Sequence, residues 1–209
     1  VHEGGWQDSG YWSFWDTPLI ELAGKTLGLV GFGRIGQRVG QLAHAFGMEV
    51  WAYAPSPKDD PGYAPFSFKS VEEIFAGADV VSLHCPQTAS NAGFVNAELL
   101  SSMKDGALFI NTARGGLVDE AALMEALQSG HLQGAGLDCQ ATEPPTGTSL
   151  DLVRLPQVLA LPHTGSKTNA ARERMSIWAA QSIVDVFQGR VPQYVVNTDV
   201  LKRLDLHTT

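Results

Sequence analysis

Three glycines in Gly31-Phe32-Gly33-Arg34-Ile35-Gly36 follow an apolar run, Thr26-Leu27-Gly28-Leu29-Val30, and open a stretch of helical periodicity. At this spacing the first glycine makes a tight strand-to-helix turn and the second lets the backbone approach a pyrophosphate. The third permits close packing of helix on strand, and the helix N-terminus supplies amides and positive dipole to the phosphates. Three later motifs sit at the carboxyl ends of predicted strands, where open parallel sheets place ligands. In Asn111-Thr112-Ala113-Arg114-Gly115-Gly116-Leu117-Val118-Asp119, an arginine ends a strand beside two glycines that leave room for a ligand. Its planar guanidinium can hold both a carboxylate and a neighbouring carbonyl oxygen. Ala141-Thr142-Glu143-Pro144-Pro145 and Leu161-Pro162-His163-Thr164-Gly165 complete the set. Taken singly, an Arg-Gly-Gly is a turn, a Glu-Pro-Pro an exposed loop and a histidine after proline a structural residue. Their joint occurrence is what points to catalysis.

These motifs need a scaffold, and the chain supplies one. Short runs rich in Val, Leu and Ala alternate with helical segments, the signature of βαβ units and a Rossmann-type, doubly wound parallel α/β sheet covered on both faces. Six strands are predicted at about 26–32, 49–54, 79–85, 107–113, 134–139 and 158–162, and helices at about 34–46, 70–76, 96–102, 119–129 and 168–188. Asp119 marks a helix start, and Gly47, Gly130 and Gly189 mark helix ends. Ala54 to Gly62 reads as a loop. Residues 1–24, with Trp6, Tyr11, Trp12, Phe14 and Trp15, show no clear period and read as an arm that needs a surface to cover, on its own domain or on a second subunit.

The end of the second strand bears on cofactor choice. An Asp or Glu there would hold the adenine ribose hydroxyls of NAD, but this chain has Tyr53-Ala54-Pro55. Without that carboxylate a 2′-phosphate meets no repulsion, and Ser56 and Lys58 could bond and neutralise it. NAD bound through backbone contacts and NADP bound through these side chains both remain open at this point.

The motifs, in this order, resemble the cofactor domain of the D-isomer-specific 2-hydroxyacid dehydrogenases, and the resemblance covers essentially the whole chain. It implies that Arg114 binds the substrate and polarises its carbonyl, that His163 is the acid/base, and that Glu143 pairs with that histidine. It further implies a cofactor set of Gly31, Gly33, Arg34, Ile35 and Gly36 in the turn, to which the reading of the residues beyond the second strand, rather than the resemblance, adds Ala54, Ser56 and Lys58. Cys85 and Pro86, Thr112, Ala113 and Arg114, and Asp138, His163 and Gly165 complete it around the nicotinamide. Reducing a 2-keto acid requires a hydride to the carbonyl carbon, a proton for its oxygen and a cation for its carboxylate. Glu143 would stabilise the imidazolium of His163, and Arg114 the charge developing on oxygen. His2, His44, His84, His131 and His207 carry no comparable motif, and Cys85 reads as a packing residue of the cofactor wall rather than a nucleophile.

The remaining composition narrows the partners. With 22 acidic against 14 basic residues and a net charge of -8, the chain offers no basic stripe for nucleic acid or an anionic membrane. Its two cysteines form no CxxC and lie near no histidine at ligand spacing, so neither a disulfide scaffold nor a metal site is expected, and a reducing cytoplasm fits. No signal peptide or long apolar span is seen.

Family members place a substrate domain before the cofactor domain and return the final helix to it. The resemblance thus implies an arm over 1–24, a dinucleotide-binding domain over 25–167 and a C-terminal helix and tail over 168–209, with the substrate domain largely missing from this sequence. A 209-residue piece of this kind would bind cofactor but turn over poorly. The aromatic arm is most similar to hydroxypyruvate reductases and glycerate dehydrogenases, which makes hydroxypyruvate/D-glycerate and glyoxylate the expected substrates and a homodimer the expected assembly. A nicotinamide-sensing corepressor and a cofactor-binding fragment without turnover are the alternatives.

Overall fold

The computed structural model describes residues 3–15, 19–56 and 59–203. Lys58, Asp16, His2 and His207 therefore lie outside the described residues. The chain divides into two compact units, Val1–Ala160 and Leu161–Thr209.

The first unit is built on a wholly parallel sheet of order β3-β2-β1-β4-β5-β6-β7. Its strands are β1 (Thr26–Val30), β2 (Glu49–Tyr53), β3 (Phe66–Phe68), β4 (Val80–Leu83), β5 (Ala107–Asn111), β6 (Leu132–Leu137) and β7 (Val158–Ala160). Every residue of β1 and β4 is buried, as expected of central strands covered on both faces. Side chains alternate between two apolar layers. Leu27, Leu29, Val50 and Ala52 pack on one face with Ala43, while Val30, Val81, Leu83 and Phe109 pack on the other with Ile74, Phe75, Leu123 and Leu127.

Helices join the strands: α2 (Arg34–Ala45), α3 (Val71–Gly77), α4 (Ala97–Ser102), α5 (Glu120–Gln128) and α6 (Thr148–Val153), preceded by a short α1 (Gly5–Ser9) within the aromatic arm. The buried face of α2 consists of Gly36, Gly40 and Ala43, small residues that let the helix lie close to the sheet. Local chemistry sets the ends. Ser70 and Glu73 form a reciprocal capping box on α3, Asn96 caps α4, and Asp119 accepts from the amides of Ala121 and Ala122 at the start of α5. Gly47, Gly130 and Gly189 adopt the left-handed conformation at the helix ends, as their positions in the sequence imply.

Several expectations are corrected. Among the described residues the sheet has seven strands, not six, because Phe66-Ser67-Phe68 adds a short edge strand whose shape is decided by pairing with β2 rather than by its own pattern. The strands expected to run to 32, 85 and 113 stop at Val30, Leu83 and Asn111, since the residues beyond leave the ladder to line the turn and the cavities described below. In addition, β6 begins at Leu132, and α6 fills a stretch in which no helix was expected.

In the second unit, α7 (Asn169–Phe187) is capped by Thr168 and followed by a 3₁₀ segment, Thr198–Arg203. Arg190 folds back on Asp185 at 2.6 Å and holds that carboxyl below its ordinary range. None of the residues of α7 is buried.

Candidate active site

After β1 the chain moves outward to β2 and β3, then crosses back to β4, so β1 and β4 bracket the point at which the strand order reverses. Their carboxyl ends frame a crevice. Gly31 occupies it with φ +107°, where a Cβ would lie 2.6 Å from the amide nitrogen of Cys85 and from the carbonyl carbon of His84. The Gly31 amide donates to the Tyr53 carbonyl at 3.0 Å, and the His84 amide to the Val30 carbonyl at 2.8 Å, which locks the turn against both neighbouring strands. Gly36 packs directly on the Gly31 carbonyl, leaving no room for a side chain.

Gly33 differs from both. A Cβ there would meet nothing within 4 Å, and this residue begins α2 without any side-chain cap. Open space thus faces the uncapped amides of the first helical turn, at Arg34, Ile35 and Gly36. The turn fits the phosphates of a dinucleotide.

Two cavities open from this crevice. One of about 600 Å³ is lined by Gly31, Gly33, Tyr53, Ala54, Pro55 and Ser56 together with His84, Cys85 and Pro86. Among the described residues it meets no carboxylate at the end of β2. The other, of about 760 Å³, runs from Ile35 past His84, Cys85, Pro86 and Gln87 to Thr112, Ala113 and Arg114. His84 is common to both, with its Nε2 3.0 Å from the Ser82 hydroxyl, and burial pushes its pKa down so that the ring is neutral at physiological pH. Burial likewise raises the Cys85 thiol, which suits a wall rather than a nucleophile.

Arg114 stands on a loop organised by Asn111, a residue only 1% exposed. The Asn111 side-chain amide donates to the Arg114 carbonyl at 2.8 Å, and its oxygen accepts from the Ala113 amide at 3.0 Å. The Arg114 guanidinium itself donates to the Ala113 carbonyl at 2.6 Å. Gly115 begins a 3₁₀ turn, Gly115–Leu117, and presses on the Gln140 carbonyl so closely that no side chain could replace its hydrogen.

The neighbouring strand delivers Asp138 and Glu143. The Asp138 amide donates to the Asn111 carbonyl at 3.0 Å, and Asp138 is buried. Past it, Glu143 accepts from the Gln140 amide at 3.0 Å. Cys139 lies beneath this loop. Burial first, then the Glu143 and Asp138 carboxylates, raise its thiol to about 11. His163 and Gly165 belong to the second unit, where His163 holds φ 52° and donates its amide to the Leu161 carbonyl at 3.0 Å. A histidine in the left-handed region is uncommon, and such residues concentrate at functional sites.

Within the first unit the structure therefore brings Gly31, Gly33, Ile35, Ala54, Ser56, Cys85, Pro86, Thr112, Ala113 and Arg114 to the rims of two cavities that share His84, Cys85 and Pro86. Asn111 opens the arginine motif and His84 adjoins Cys85 and Pro86, but neither they nor Gln87 carry an expected role in the sequence. His84 could have been found from the alternation Ser82-Leu83-His84, which carries a polar side chain past the end of β4. Among the described residues no group of histidine, cysteine and carboxylate side chains could hold a metal, and no helix is long and apolar enough to cross a membrane.

A parallel sheet, a glycine turn at its switch point and two cavities at its carboxyl edge define a Rossmann-type dinucleotide-binding domain. Residues 1–165 match the family described as "D-isomer specific 2-hydroxyacid dehydrogenase, NAD binding domain". The chain belongs to that family. It is 38% identical to a hydroxypyruvate reductase of Blautia hydrogenotrophica over 94% of this chain and 61% of that protein. It is 40% identical to a glycerate dehydrogenase of Methylorubrum extorquens over 94% of this chain and 60% of the relative. A crystal structure of D-lactate dehydrogenase with NAD+ from Lactobacillus jensenii superposes with a TM-score of 0.81 at 29% identity, covering 91% of this chain and 61% of that one. The chain thus spans about 60% of the length of these relatives.

Proposed function

We propose that the protein carrying this chain is an oxidoreductase that moves a hydride between NAD(P)H and a small 2-keto or 2-hydroxy acid, with hydroxypyruvate/D-glycerate and glyoxylate as first substrates. The observation that carries the reading is the cavity of about 760 Å³ that links Ile35, in the first turn of α2, to Arg114. A dinucleotide held at its phosphates by the glycine turn would extend toward a cation suited to a carboxylate. The two curated relatives above carry names for this chemistry.

The nicotinamide, when bound, supplies or accepts the hydride. Arg114 anchors the substrate carboxylate and stabilises charge on the carbonyl oxygen. His163 donates the proton in reduction and takes it back in oxidation, and Glu143 stabilises its imidazolium and fixes the ring. Asp138, Thr112, Ala113 and Gly165 shape the nicotinamide end, while Arg34 with the amides after it faces the phosphates. Neutral His84 and un-ionised Cys85 wall the cofactor without adding charge.

With Ala54 in place of a ribose-binding carboxylate, NADPH is admitted beside NADH, and the ratio of kcat/KM for the two cofactors measures the preference. The tail 168–209 returns to a substrate domain, a role supported by the exposed Ile177, Trp178, Ile183 and Phe187 on α7. The arm, with Tyr11 and Trp12 largely exposed, forms a homodimer interface, and the enzyme works in the cytoplasm.

The test is a panel of 2-keto acids with both cofactors on the complete polypeptide, beside its His163→Ala variant. Turnover should fall by about 100-fold or more in the variant while NADH binding, followed by fluorescence, persists. Equal rates for variant and parent would remove His163 from the mechanism.

A further inference from the structure

The loop between β6 and α6 carries three consecutive amides that each donate to a side-chain oxygen. The Gln140 amide donates to Glu143 Oε1 at 3.0 Å, the Ala141 amide to Glu120 Oε1 at 2.8 Å and the Thr142 amide to Ser149 Oγ at 3.2 Å. Ser149, buried at the start of α6, donates its own hydroxyl proton to Glu120 Oε2 at 2.5 Å. Both carboxylate oxygens of Glu120 are therefore engaged, one by the loop itself and one by the residue that holds the next amide. Building on the function proposed above, we infer that Glu120, acting with Ser149, is a positioning residue that sets the Glu143 carboxylate for the proton transfer.

A carboxylate accepts from both donors at once. Ala141 N–H and Ser149 O–H both donate to Glu120, whereas the side-chain amide introduced by Glu120→Gln would offer its oxygen to the Ala141 N–H and its own N–H to the Ser149 oxygen, keeping the reach and losing only the acceptor of the hydroxyl proton. Glu120 is also the first residue of α5, which follows the Gly115–Leu117 turn packed on the Gln140 carbonyl. One side chain thus ties the loop bearing Arg114 to the loop bearing Glu143, across neighbouring strands. A plainer role for Glu120 is a first-turn acid complementing the α5 dipole. Glu120→Asp separates the two roles, because it keeps the negative charge in the first turn and shortens the reach by one methylene.

Steady-state kinetics with hydroxypyruvate and NADH, together with amide hydrogen exchange, should be measured on the parent and on Glu120→Asp, Glu120→Gln and Ser149→Ala. In Glu120→Asp, kcat should fall by about 10- to 100-fold, the scale expected for displacing a reacting group. KM for NADH should stay at the parental value. The Ala141 and Thr142 amides should exchange faster while those of β6 do not change. Glu120→Gln should lie between parent and Glu120→Asp, and Ser149→Ala should speed exchange chiefly at Thr142. Parental kcat in Glu120→Asp would overturn the inference, and so would a fall in kcat without faster exchange at Ala141 and Thr142. A parent that reduces no 2-keto acid would instead refute the proposed function. Exchange would still decide the role of Glu120 in that case, since unaltered protection at Ala141 and Thr142 in Glu120→Asp overturns it.

Discussion

The two ends of the site are built by opposite means. At the crevice between β1 and β4, shape comes from missing side chains. Gly31 turns at a positive φ hard against the His84–Cys85 backbone, Gly36 sits on the Gly31 carbonyl, and Gly33 faces open space. At the carboxyl ends of β5 and β6, shape comes from side chains that fasten backbone: Asn111 grips Ala113 and Arg114, and Glu120, Ser149 and Glu143 grip residues 140–142. The first device suits a pyrophosphate, which is recognised by amides and needs the backbone close. The second suits reacting groups, whose positions must be held to a fraction of an ångström.

This contrast is tested most severely at Gly31. A Gly31→Ala substitution combines a strained φ with a backbone clash and should cost about 4 kcal/mol or prevent folding, read by thermal or urea denaturation. Gly33→Ala should separate function from fold, because its Cβ meets no protein atom. Stability should change by less than about 1 kcal/mol, while NADH affinity falls roughly tenfold, equivalent to about 1.4 kcal/mol. Equal stability losses in the two variants would break the distinction between a glycine that shapes the turn and one that makes room for the ligand.

At the other end, Asn111→Ala should cost about 3 kcal/mol, because it leaves the Ala113 amide and the Arg114 carbonyl without their partner. It should also lower kcat/KM for the keto acid far more than it raises the Kd for NADH. Equal effects on both would mean that the Arg114 loop serves the cofactor alone.

The smallest effect provides a control at the amino end of the sheet. Asp79 accepts from the Thr26 amide at 2.8 Å and meets Lys104 at 3.1 Å. Burial works to raise its pKa, but the Thr26 amide and Lys104 outweigh it, so the carboxyl lies below its ordinary value. Its stabilisation is therefore fully present above about pH 4 and is lost as the pH falls through the folded value. Asp79→Asn should cost about 1–2 kcal/mol at pH 7 and nothing in strong acid, with kinetic constants unchanged. Altered kinetics there would show that fastening anywhere along the sheet reaches the site.

What could be read in advance follows the range of the interactions. The glycine turn, the Asp119 cap and the helix stops at Gly47, Gly130 and Gly189 each rest on a backbone conformation or a hydrogen bond spanning a few residues, so residue type and spacing sufficed. The alternation of apolar runs with helical segments was enough for a parallel α/β sheet, because central strands must be apolar on both faces. The motifs also carried the family, and the match over residues 1–165 agrees with it.

Only the tertiary structure decided the rest. β3 exists because the edge of β2 accepts it, not because three residues declare themselves a strand. Glu120, which by sequence looks like an ordinary first-turn acid, reaches residues 141 and 149, and His84 joins two cavities. Such contacts depend on which strands are neighbours and in what register, since a slip of one residue turns every side chain to the opposite face. Strand order and register belong to the folded sheet and leave no local trace at Glu120.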